Sequence, residues 1–319
     1  MMKTLKINCL LYVLIVLCLF STLTFAEDSL KSKIDSMFLI ASSGDFKFRD
    51  LVQPTMDDIA AIGVEAAPYL IDRLGTEDAR ERVTLRQIFQ KIGTPAVPLL
   101  NDALLETDSL QLSRVALILY YLPDGSSVDN LMKVSDKEYY WARYQVMRAL
   151  GKIGDMKARP TIEKALQDSI ELVRTMAAVA AGRIDAVTFF PELVNALSDN
   201  YYGVRMAAIE ELKKLDCPAK LKLLPLAMSA AETEIPRNLL LSIMASDSCV
   251  YDLQTLRPLL ESSDPVTQSL ALRTMAKGEG MKIINEFAES FTAFDNLLLQ
   301  QTIKELTESY ETKKTLTNP

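Results

Sequence analysis

Residues 149–187 read ALGKIGDMKARPTIEKALQDSIELVRTMAAVAAGRIDAV, and residues 189–215 read FFPELVNALSDNYYGVRMAAIEELKKL. The second stretch repeats the first at an offset of 31 residues, so that Pro160 returns as Pro191 and Arg174 returns as Arg205. A fixed period of this length is typical of architectures that stack copies of one small unit. This stretch therefore decides the fold, and further copies are expected on both sides of it.

Each copy is predicted to be a hairpin of two helices. Four apolar residues at positions i, i+4, i+7 and i+11 share one face of the longer helix: Val173, Ala177, Ala180 and Ile184. A shorter helix precedes it and starts at Pro160, whose missing N–H is not needed in a first turn. One hairpin cannot bury its own apolar stripe, so the next copy must cover it.

The apolar end of the longer helix recurs every 30 or 31 residues, at Ile62, Ile92, Leu122, Ile153, Ile184 and Leu215. Residues that tolerate the left-handed backbone conformation follow most of these ends, at Gly63, Gly93, Gly154, Asp185 and Asp216. Beyond Leu215 the register is looser, with the polar residues Asn238 and Ser269 at expected core positions. We expect about eight or nine hairpins, of which the terminal ones act as atypical caps.

The residues of the repeat resemble a known family. ALGKIGD, then a proline-started helix ending in AL, then D-x-x-x-x-V-R-x-x-A-x-x-A is similar to the short bacterial HEAT repeat, also called the PBS-lyase HEAT-like type. The resemblance is strong over residues 136–215 and weak after Cys217. It implies an all-α protein, an α-solenoid of HEAT-like hairpins that forms a right-handed superhelix. It also implies a scaffold that binds partners, with the second helix of each hairpin on the inner, concave face.

Three arginines recur with this period, each six or seven residues after an aspartate: Arg143 after Asp136, Arg174 after Asp168, and Arg205 after Asp199. In the family such pairs form a ladder between neighbouring copies, so the resemblance implies a structural role. The alternative interpretation is a row that binds anions. Neighbouring carboxylates such as Asp57-Asp58 and Glu210-Glu211 are interpreted as solvated helix faces.

The segment 1–26 is predicted to be a secretory signal. It has a positive start at Lys3 and Lys6, an apolar run at 9–20, and a small residue, Ala26, at the cleavage position. The alternative is an uncleaved membrane anchor, although the run is short for a span. The solenoid is then expected over 27–311, opening with a helix at 27–43, and residues 312–319 are expected to fray.

The excess of acidic over basic residues limits which classes of partner the chain can bind. The full chain has a formal net charge of −7, and removal of the signal leaves 33 basic against 42 acidic residues, a net charge of −9. Such a protein repels phosphate backbones, so we expect no nucleic acid partner. We also expect no membrane association after signal cleavage, and a periplasmic or extracellular location.

Two cysteines remain after the predicted cleavage, Cys217 and Cys249, at nearly equivalent turns of adjacent copies. An oxidising compartment favours a bridge. Equivalent positions in stacked copies, however, lie roughly 10 Å apart, beyond the roughly 7 Å limit between the Cα atoms of a disulfide unless the turns tilt. The sequence is compatible both with a disulfide and with two separate thiols.

The chain contains no histidine. Ser-His-Asp and Cys-His nucleophilic systems, the usual zinc sites and histidine-bound haem are therefore excluded. The same absence excludes deoxyhypusine hydroxylase, a HEAT-like enzyme whose iron is held by His-Glu pairs. No glycine-rich phosphate loop occurs, because the glycines are scattered at hairpin ends. We predict no catalytic, cofactor-binding or metal-binding residues, and no cofactor.

Aromatic residues are the remaining signal, and they are interpreted in part as core and in part as a recognition surface. Six of them crowd into residues 120–144, and Tyr201-Tyr202 repeats the position of Tyr139-Tyr140 two copies later. At roughly 10 Å per helix step, the two pairs would form a row about 20 Å long. The predicted partner-binding patch contains Tyr139, Tyr140, Trp141, Tyr201 and Tyr202.

These observations predict an exported scaffold that binds a protein or peptide on its concave face without catalysis. The alternative is a HEAT-like lyase or another enzyme that holds a small molecule in the concave groove. A third interpretation is a purely structural envelope protein. A closed pocket with converging ionisable groups would favour the enzyme, and exposed aromatic side chains on an open groove would favour the scaffold.

Overall fold

The computed structural model describes residues 29–290 and 296–317. Within these ranges the chain is helical and contains no strand, and its helices pair in sequence into nine hairpins. The prediction of an all-α solenoid is confirmed. The predicted signal at 1–26 lies outside the described residues. No helix in the described ranges has the length and apolar character that a membrane crossing requires.

The chain divides into two compact units, Met1–Ala149 and Leu150–Pro319. The first unit opens with α1 at 29–41, inside the helix predicted at 27–43. Short 3-10 turns such as Gly63–Ala66 and Thr94–Ala96 precede the first helices of its hairpins. The later helices that begin in this unit are α2 (Val52–Ile62), α3 (Ala67–Asp72), α4 (Ala79–Ile92), α5 (Val97–Glu106), α6 (Ser109–Tyr121), α7 (Val128–Lys133) and α8 (Tyr140–Ile153).

The second unit continues the pairing of a shorter and a longer helix, except that Cys217–Ala230 and Glu234–Ser246 have 14 and 13 residues. Its last helix extends to Thr317, past Glu311, where the loss of apolar positions predicts fraying. Its helices are α9 (Arg159–Ala165), α10 (Glu171–Asp185), α11 (Phe190–Ala196), α12 (Tyr202–Lys213), α13 (Cys217–Ala230), α14 (Glu234–Ser246), α15 (Leu253–Leu256), α16 (Pro265–Glu279), α17 (Met281–Ser290) and α18 (Leu297–Thr317).

The helix ends bear out the glycine prediction but not its extension to aspartate. Gly63, Gly93 and Gly154 follow α2, α4 and α8 with φ of 77°, 77° and 79°, a region that side chains with a Cβ disfavour. No other residue type in the described ranges has positive φ. Asp216 instead caps the next helix, because its side chain accepts a hydrogen bond from Ala219 N at 2.9 Å.

The core of the second unit follows the predicted apolar face. Val173, Ala177 and Ala180 on α10 are buried, and Ile184 is half-buried. Glycine brings the longer helices close together. A Cβ added at Gly151 would lie 2.7 Å from the Cα of Ala180, so the close approach of these helices requires glycine at that position.

Glu211 on α12 was expected on a solvated face, and that prediction is wrong. Its side chain lies against Gly182 on α10, where an added Cβ would come within 2.3 Å of the Glu211 Cβ, and the residue is 3% exposed. One carboxylate oxygen accepts from Lys214 Nζ at 2.7 Å, whereas the buried Oε2 has no hydrogen-bond partner among the residues that the structure describes. The neighbouring Glu210 is exposed, as are Asp57 and Asp58.

The looser register after Leu215 is explained by polar side chains that pair with each other inside the stack. Ser269 Oγ lies 2.8 Å from Thr302 Oγ1, and both side chains are buried. Asn238 Nδ2 donates to Asp264 Oδ2 at 2.8 Å. Burial acts to raise the pKa of Asp264, but hydrogen bonds from Asn238 and Thr267 outweigh it and lower the pKa to about 2.

Cys217 and Cys249 form a disulfide with their Cα atoms 5.7 Å apart, so the turns that carry them do approach each other. The turn at Cys249 is fixed by Asp247, whose Oδ1 accepts from the Cys249 N–H at 3.0 Å. The other oxygen of Asp247 accepts from Tyr251 at 2.5 Å, and Lys277 Nζ lies 3.3 Å from Oδ1. Burial lowers the pKa of Lys277 and raises the pKa of Tyr251. The cluster is a paired network that holds α14 and α16 together.

Candidate functional site

Arg174 on α10 forms the interrepeat link that the family resemblance implies. Its Nε and Nη2 donate to the two carboxylate oxygens of Asp199 at 2.7 and 3.0 Å, and Nη1 donates to the carbonyl of Asp168 at 2.7 Å. The side chains of Arg174 and Asp199 are 19% and 14% exposed. Hydrogen bonding to Arg174 lowers the pKa of Asp199 against the opposing effect of burial. Asp199 takes the Nε–Nη2 edge of this guanidinium and backbone carbonyls take Nη1, which disfavours binding of an external anion.

The other predicted arginines hold the starts of their helices. Arg205 Nη1 donates to the carbonyls of Asp199 and Asn200 at 2.7 and 3.0 Å, and Arg143 Nη1 donates to those of residues 137 and 138. Within the part of the chain that the structure describes, no ion pair joins Arg205 to a carboxylate. The ladder is therefore asymmetric, since Arg174 links forward to the next copy and Arg205 does not.

A cavity of about 550 Å³ opens beside Arg174 in the second unit. Its wall carries several acidic side chains, but Arg159 lies between two of them, with Nε 2.6 Å from Glu163 and Nη2 3.3 Å from Glu192. The lining includes Glu163, Asp168, Arg174, Glu192, Asn195 and Asp199. Because its charges are largely paired with one another, this cavity offers no strong unpaired charge to a ligand.

The predicted aromatic residues of the first unit lie together at the start of α8. Tyr139, Tyr140, Trp141 and Tyr144 are here called the α8 aromatic cluster. The Trp141 and Tyr144 rings stack with centroids 4.7 Å apart and planes 5° from parallel, and Tyr140 meets Trp141 edge-on at 6.2 Å. Tyr140 is 39% exposed and Trp141 is 37% exposed. The cluster is an ordered aromatic surface that remains in contact with solvent.

The equivalent pair of the second unit lies at the start of α12. Tyr201 is the N-cap residue, and its N–H donates to Asp199 Oδ1 at 2.8 Å. The Tyr201 ring lies over Gly203, where an added Cβ would come within 2.6 Å of Tyr201 Cε1. Tyr202 is 65% exposed, with the Arg205 guanidinium 5.7 Å from its ring centroid. The ladder aspartate thus also positions this aromatic pair.

Both tyrosine pairs straddle the start of a longer helix, in agreement with the predicted repeat register. Tyr139, Tyr140 and Trp141 belong to the first unit, and Tyr201 and Tyr202 belong to the second. The continuous row of both pairs and the partner-binding role of these residues stay predictions.

Sequence reasoning missed two further members of the arginine row, Arg82 on α4 and Arg114 on α6. Arg114 follows Asp108 by six residues, the spacing that identifies the later members, so the signal was present in the sequence.

Among residues 29–290 and 296–317, no three His, Cys, Asp or Glu side chains are grouped so that they could hold a metal ion.

The comparisons with known proteins concern the repeats. The family model described as HEAT repeats matches residues 128–213. No curated protein matches the chain significantly. The chain is similar in structure to the complex of CpcE and CpcF of phycocyanin lyase from Nostoc, at 20% identity and a TM-score of 0.38, over 76% of this chain and 93% of that one.

Two further solved structures are similar to the chain. Human deoxyhypusine hydroxylase is 16% identical with a TM-score of 0.35, over 82% of this chain and 98% of that chain. The Escherichia coli protein YibA is 15% identical with a TM-score of 0.46, over 80% of this chain and 96% of that chain. At these values the likenesses carry no functional argument. The matched family model shows that residues 128–213 of this chain are HEAT repeats.

Proposed function

We propose that this chain is an exported scaffold that binds a protein or peptide partner and carries out no reaction of its own. The α8 aromatic cluster and the Tyr201-Tyr202 pair are the proposed contact surfaces. The observation that carries the proposal is the partly exposed, stacked arrangement of Tyr140, Trp141 and Tyr144. Tyrosine and tryptophan are enriched where protein partners bind, because they offer a large apolar area at low entropic cost together with a polar group.

The packing of these rings favours binding over a role in the core. A buried aromatic side chain is enclosed by its neighbours, but Tyr140, Trp141 and Tyr202 keep between 37% and 65% of their surface exposed. Stacking on Tyr144 fixes the indole of Trp141, so little side-chain entropy would be lost when a partner covers it. A pre-ordered aromatic surface of this kind suits a binding protein.

Export is supported by the signal-like segment at 1–26 and by the Cys217–Cys249 disulfide, since such bridges persist in oxidising compartments. Amino-terminal sequencing of protein recovered outside the cytoplasm is expected to begin at or near residue 27. A chain that retains Met1 in a membrane fraction would contradict this part of the proposal.

The binding surface is tested by replacing Tyr140 and Tyr202 with alanine, singly and together, in the full chain. Each single change is expected to weaken capture of a co-purifying partner roughly 10-fold or more, the usual effect of an aromatic hot spot. Phe46→Ala is the matched control, because Phe46 is an aromatic residue of the first unit that is 80% exposed and lies outside the cluster. Circular dichroism melts establish that the variants are folded. Wild-type affinity in the folded double variant would refute the proposed surface.

A further inference from the structure

A second surface of the first unit has a different chemistry. A groove of about 300 Å³ lies between the longer helices α4 and α6, and we call it the α4–α6 groove. Val83, which lies in it, is 45% exposed although it is apolar. The groove is lined by Leu74, Ala79, Val83, Leu117 and Ile118 and by three arginines, Arg82, Arg86 and Arg114.

The helical period explains why cations and apolar side chains alternate along this groove. Positions 79, 82, 83 and 86 form one stripe of α4, and positions 114, 117, 118 and 121 form the facing stripe of α6. Arg82 is the fourth residue of α4, as Arg174 is of α10, and Arg114 is the sixth residue of α6. The groove therefore lies along the arginine row.

These arginines differ from Arg174 in what they bind. Arg82 Nη1 donates to the carbonyl of Glu77 at 2.9 Å, and Arg114 Nη1 donates to the carbonyl of Leu74. Within residues 29–290 and 296–317, neither guanidinium forms an ion pair with a carboxylate. In the described part of the chain, no carboxylate takes the place on these arginines that Asp199 takes on the Nε–Nη2 edge of Arg174.

The third cation lies farther along the same stripe. Arg86 Nη1 donates to the hydroxyl of Tyr121 at 2.9 Å, and its guanidinium lies 5.0 Å from the centroid of that ring. This arginine also lacks an ion pair in the described part of the chain. Tyr121 thus holds the guanidinium of Arg86, which lines the groove.

The three positive charges are not balanced within the groove. Burial lowers the pKa of Arg114, and the nearby charge of Arg82 lowers it further, whereas Tyr139, Glu77 and Asp108 act in the opposite direction. Arginine side chains carry a positive charge in proteins. An anion placed between Arg82 and Arg114 would reduce their mutual repulsion and would accept charge-assisted hydrogen bonds from them.

We propose that the α4–α6 groove binds a protein segment in which an acidic side chain lies next to an aliphatic or aromatic one. The carboxylate would bind Arg82 and Arg114, and the apolar side chain would cover Val83 and Leu117. This inference rests on the proposed binding function and specifies the chemistry of the partner. A short peptide suits the groove better than a polynucleotide, because the whole chain carries a net charge of −7 and repels an extended polyanion.

The test is a selection from a displayed library of random dodecapeptides with the full chain as bait. Enriched peptides are expected to share an Asp or Glu beside an apolar residue. Synthetic, fluorescein-labelled copies are then titrated by fluorescence anisotropy. Exchange of each Asp for Asn and each Glu for Gln in a peptide is expected to weaken binding at least 10-fold, since charge-assisted hydrogen bonds to arginine are lost. Added salt is expected to weaken binding of the acidic peptide more than that of its amide version.

Variants of the chain locate the peptide. The double variant Arg82→Gln/Arg114→Gln is expected to lose at least 10-fold in affinity. Arg49→Gln is the charge-matched control, because Arg49 belongs to the same unit, is 70% exposed, and pairs with Asp50 outside the groove. Val83→Glu provides an independent test at an exposed helical position, where a change is compatible with folding. It places a competing carboxylate in the groove and is expected to abolish binding.

The outcomes separate this inference from the proposed function. Enriched peptides without acidic residues, or acidic peptides that bind wild type, the double arginine variant and Val83→Glu with equal affinity, would refute the groove as their site. Peptides that lose affinity with Tyr140→Ala but not with the groove variants would leave the binding function standing and overturn the groove. A library that yields no enriched peptide would refute the groove as a peptide site, while the proposed function would still be decided by partner capture with the Tyr140→Ala and Tyr202→Ala variants.

Discussion

Replacing Arg174 with alanine removes four charge-assisted hydrogen bonds from the second unit, two to Asp199 and one each to the carbonyls of Asp168 and Ser169. Such bonds contribute roughly 1.5–3 kcal/mol each when measured alone, but they are not additive. Breaking a fully buried pair costs roughly 3–5 kcal/mol because one charge is left without its partner. Since the two side chains remain 19% and 14% exposed, water compensates part of the loss, and we expect destabilisation of about 2–3 kcal/mol.

A loss of this size is expected to lower the melting temperature of a unit of this length by roughly 5–10 °C. Thermal and urea unfolding followed by circular dichroism measure it. Arg205→Ala is the matched control, because Arg205 occupies the same repeat position and binds two carbonyls, but forms no ion pair within the described residues. We expect it to cost about 1 kcal/mol.

A double-variant cycle with Asp199→Asn isolates the pair, and we expect a coupling free energy of at least 1 kcal/mol. Equal losses in Arg174→Ala and Arg205→Ala, or an unchanged melt in Arg174→Ala, would refute the reasoning that the forward link stabilises the stack. Capture of the partner is expected to be unaffected in any Arg174 variant that folds. Loss of capture with an unchanged melt would restore the anion-binding interpretation of this residue.

Three further changes are expected to alter stability. The pKa of Asp264 is about 2 in the fold against an ordinary 3.8, so its contribution of about 2 kcal/mol is complete above pH 3.8 and is lost as the pH falls towards 2. Urea unfolding of wild type and Asp264→Asn should therefore differ most near neutral pH, and a pH-independent difference would contradict this. Reducing the Cys217–Cys249 bridge, which spans 32 residues, should cost about 3–4 kcal/mol by chain entropy, and identical melts with and without reductant would show otherwise. Gly182→Ala should cost about 2 kcal/mol because its Cβ collides with Glu211, whereas stabilisation in denaturant would indicate that helix propensity prevails.

Most of the fold could be predicted because each copy repeats the same local signals. The period places Val173 and Ala177 on one face, and both are fully buried. Glycines mark the ends of α2, α4 and α8 because only the absence of a Cβ makes the positive φ inexpensive. These features depend on residues close together in sequence, which a single sequence contains in full.

What could not be predicted depends on the neighbouring copy. Glu211 is buried because Gly182 on α10 leaves room for it, and its own sequence neighbours are typical of an exposed face. The disulfide forms because the turn fixed by Asp247 brings Cys249 within 5.7 Å of Cys217, less than the spacing of stacked helices implies.

The candidate sites, too, could be predicted where they depend on residues close together in sequence and could not where they depend on a neighbouring copy. The repeat register predicted that Tyr140 and Tyr202 would lie at helix starts, and they do. The α4–α6 groove was missed because its character depends on which carboxylates are near Arg82 and Arg114. Spacing along one helix identifies an arginine of the row, but it does not reveal whether the facing helix supplies an anion.

The forward bond from Arg174 to Asp199 also affects how such a chain can lengthen. Asp168 holds the same repeat position as Asp199, so an in-frame duplication of residues 168–198 would place a copied Asp168 opposite the first Arg174 and leave Asp199 opposite the second. The guanidinium of each copied Arg174 would pair with a carboxylate of the following copy. Each copied helix would also contain the residues that start and end it. Genetic duplication of one whole period therefore creates no unpaired charge. A duplication out of register would leave an unpaired charge at both junctions. The bond between Arg174 and the aspartate of the following copy therefore allows the number of repeats to increase by duplication of one period.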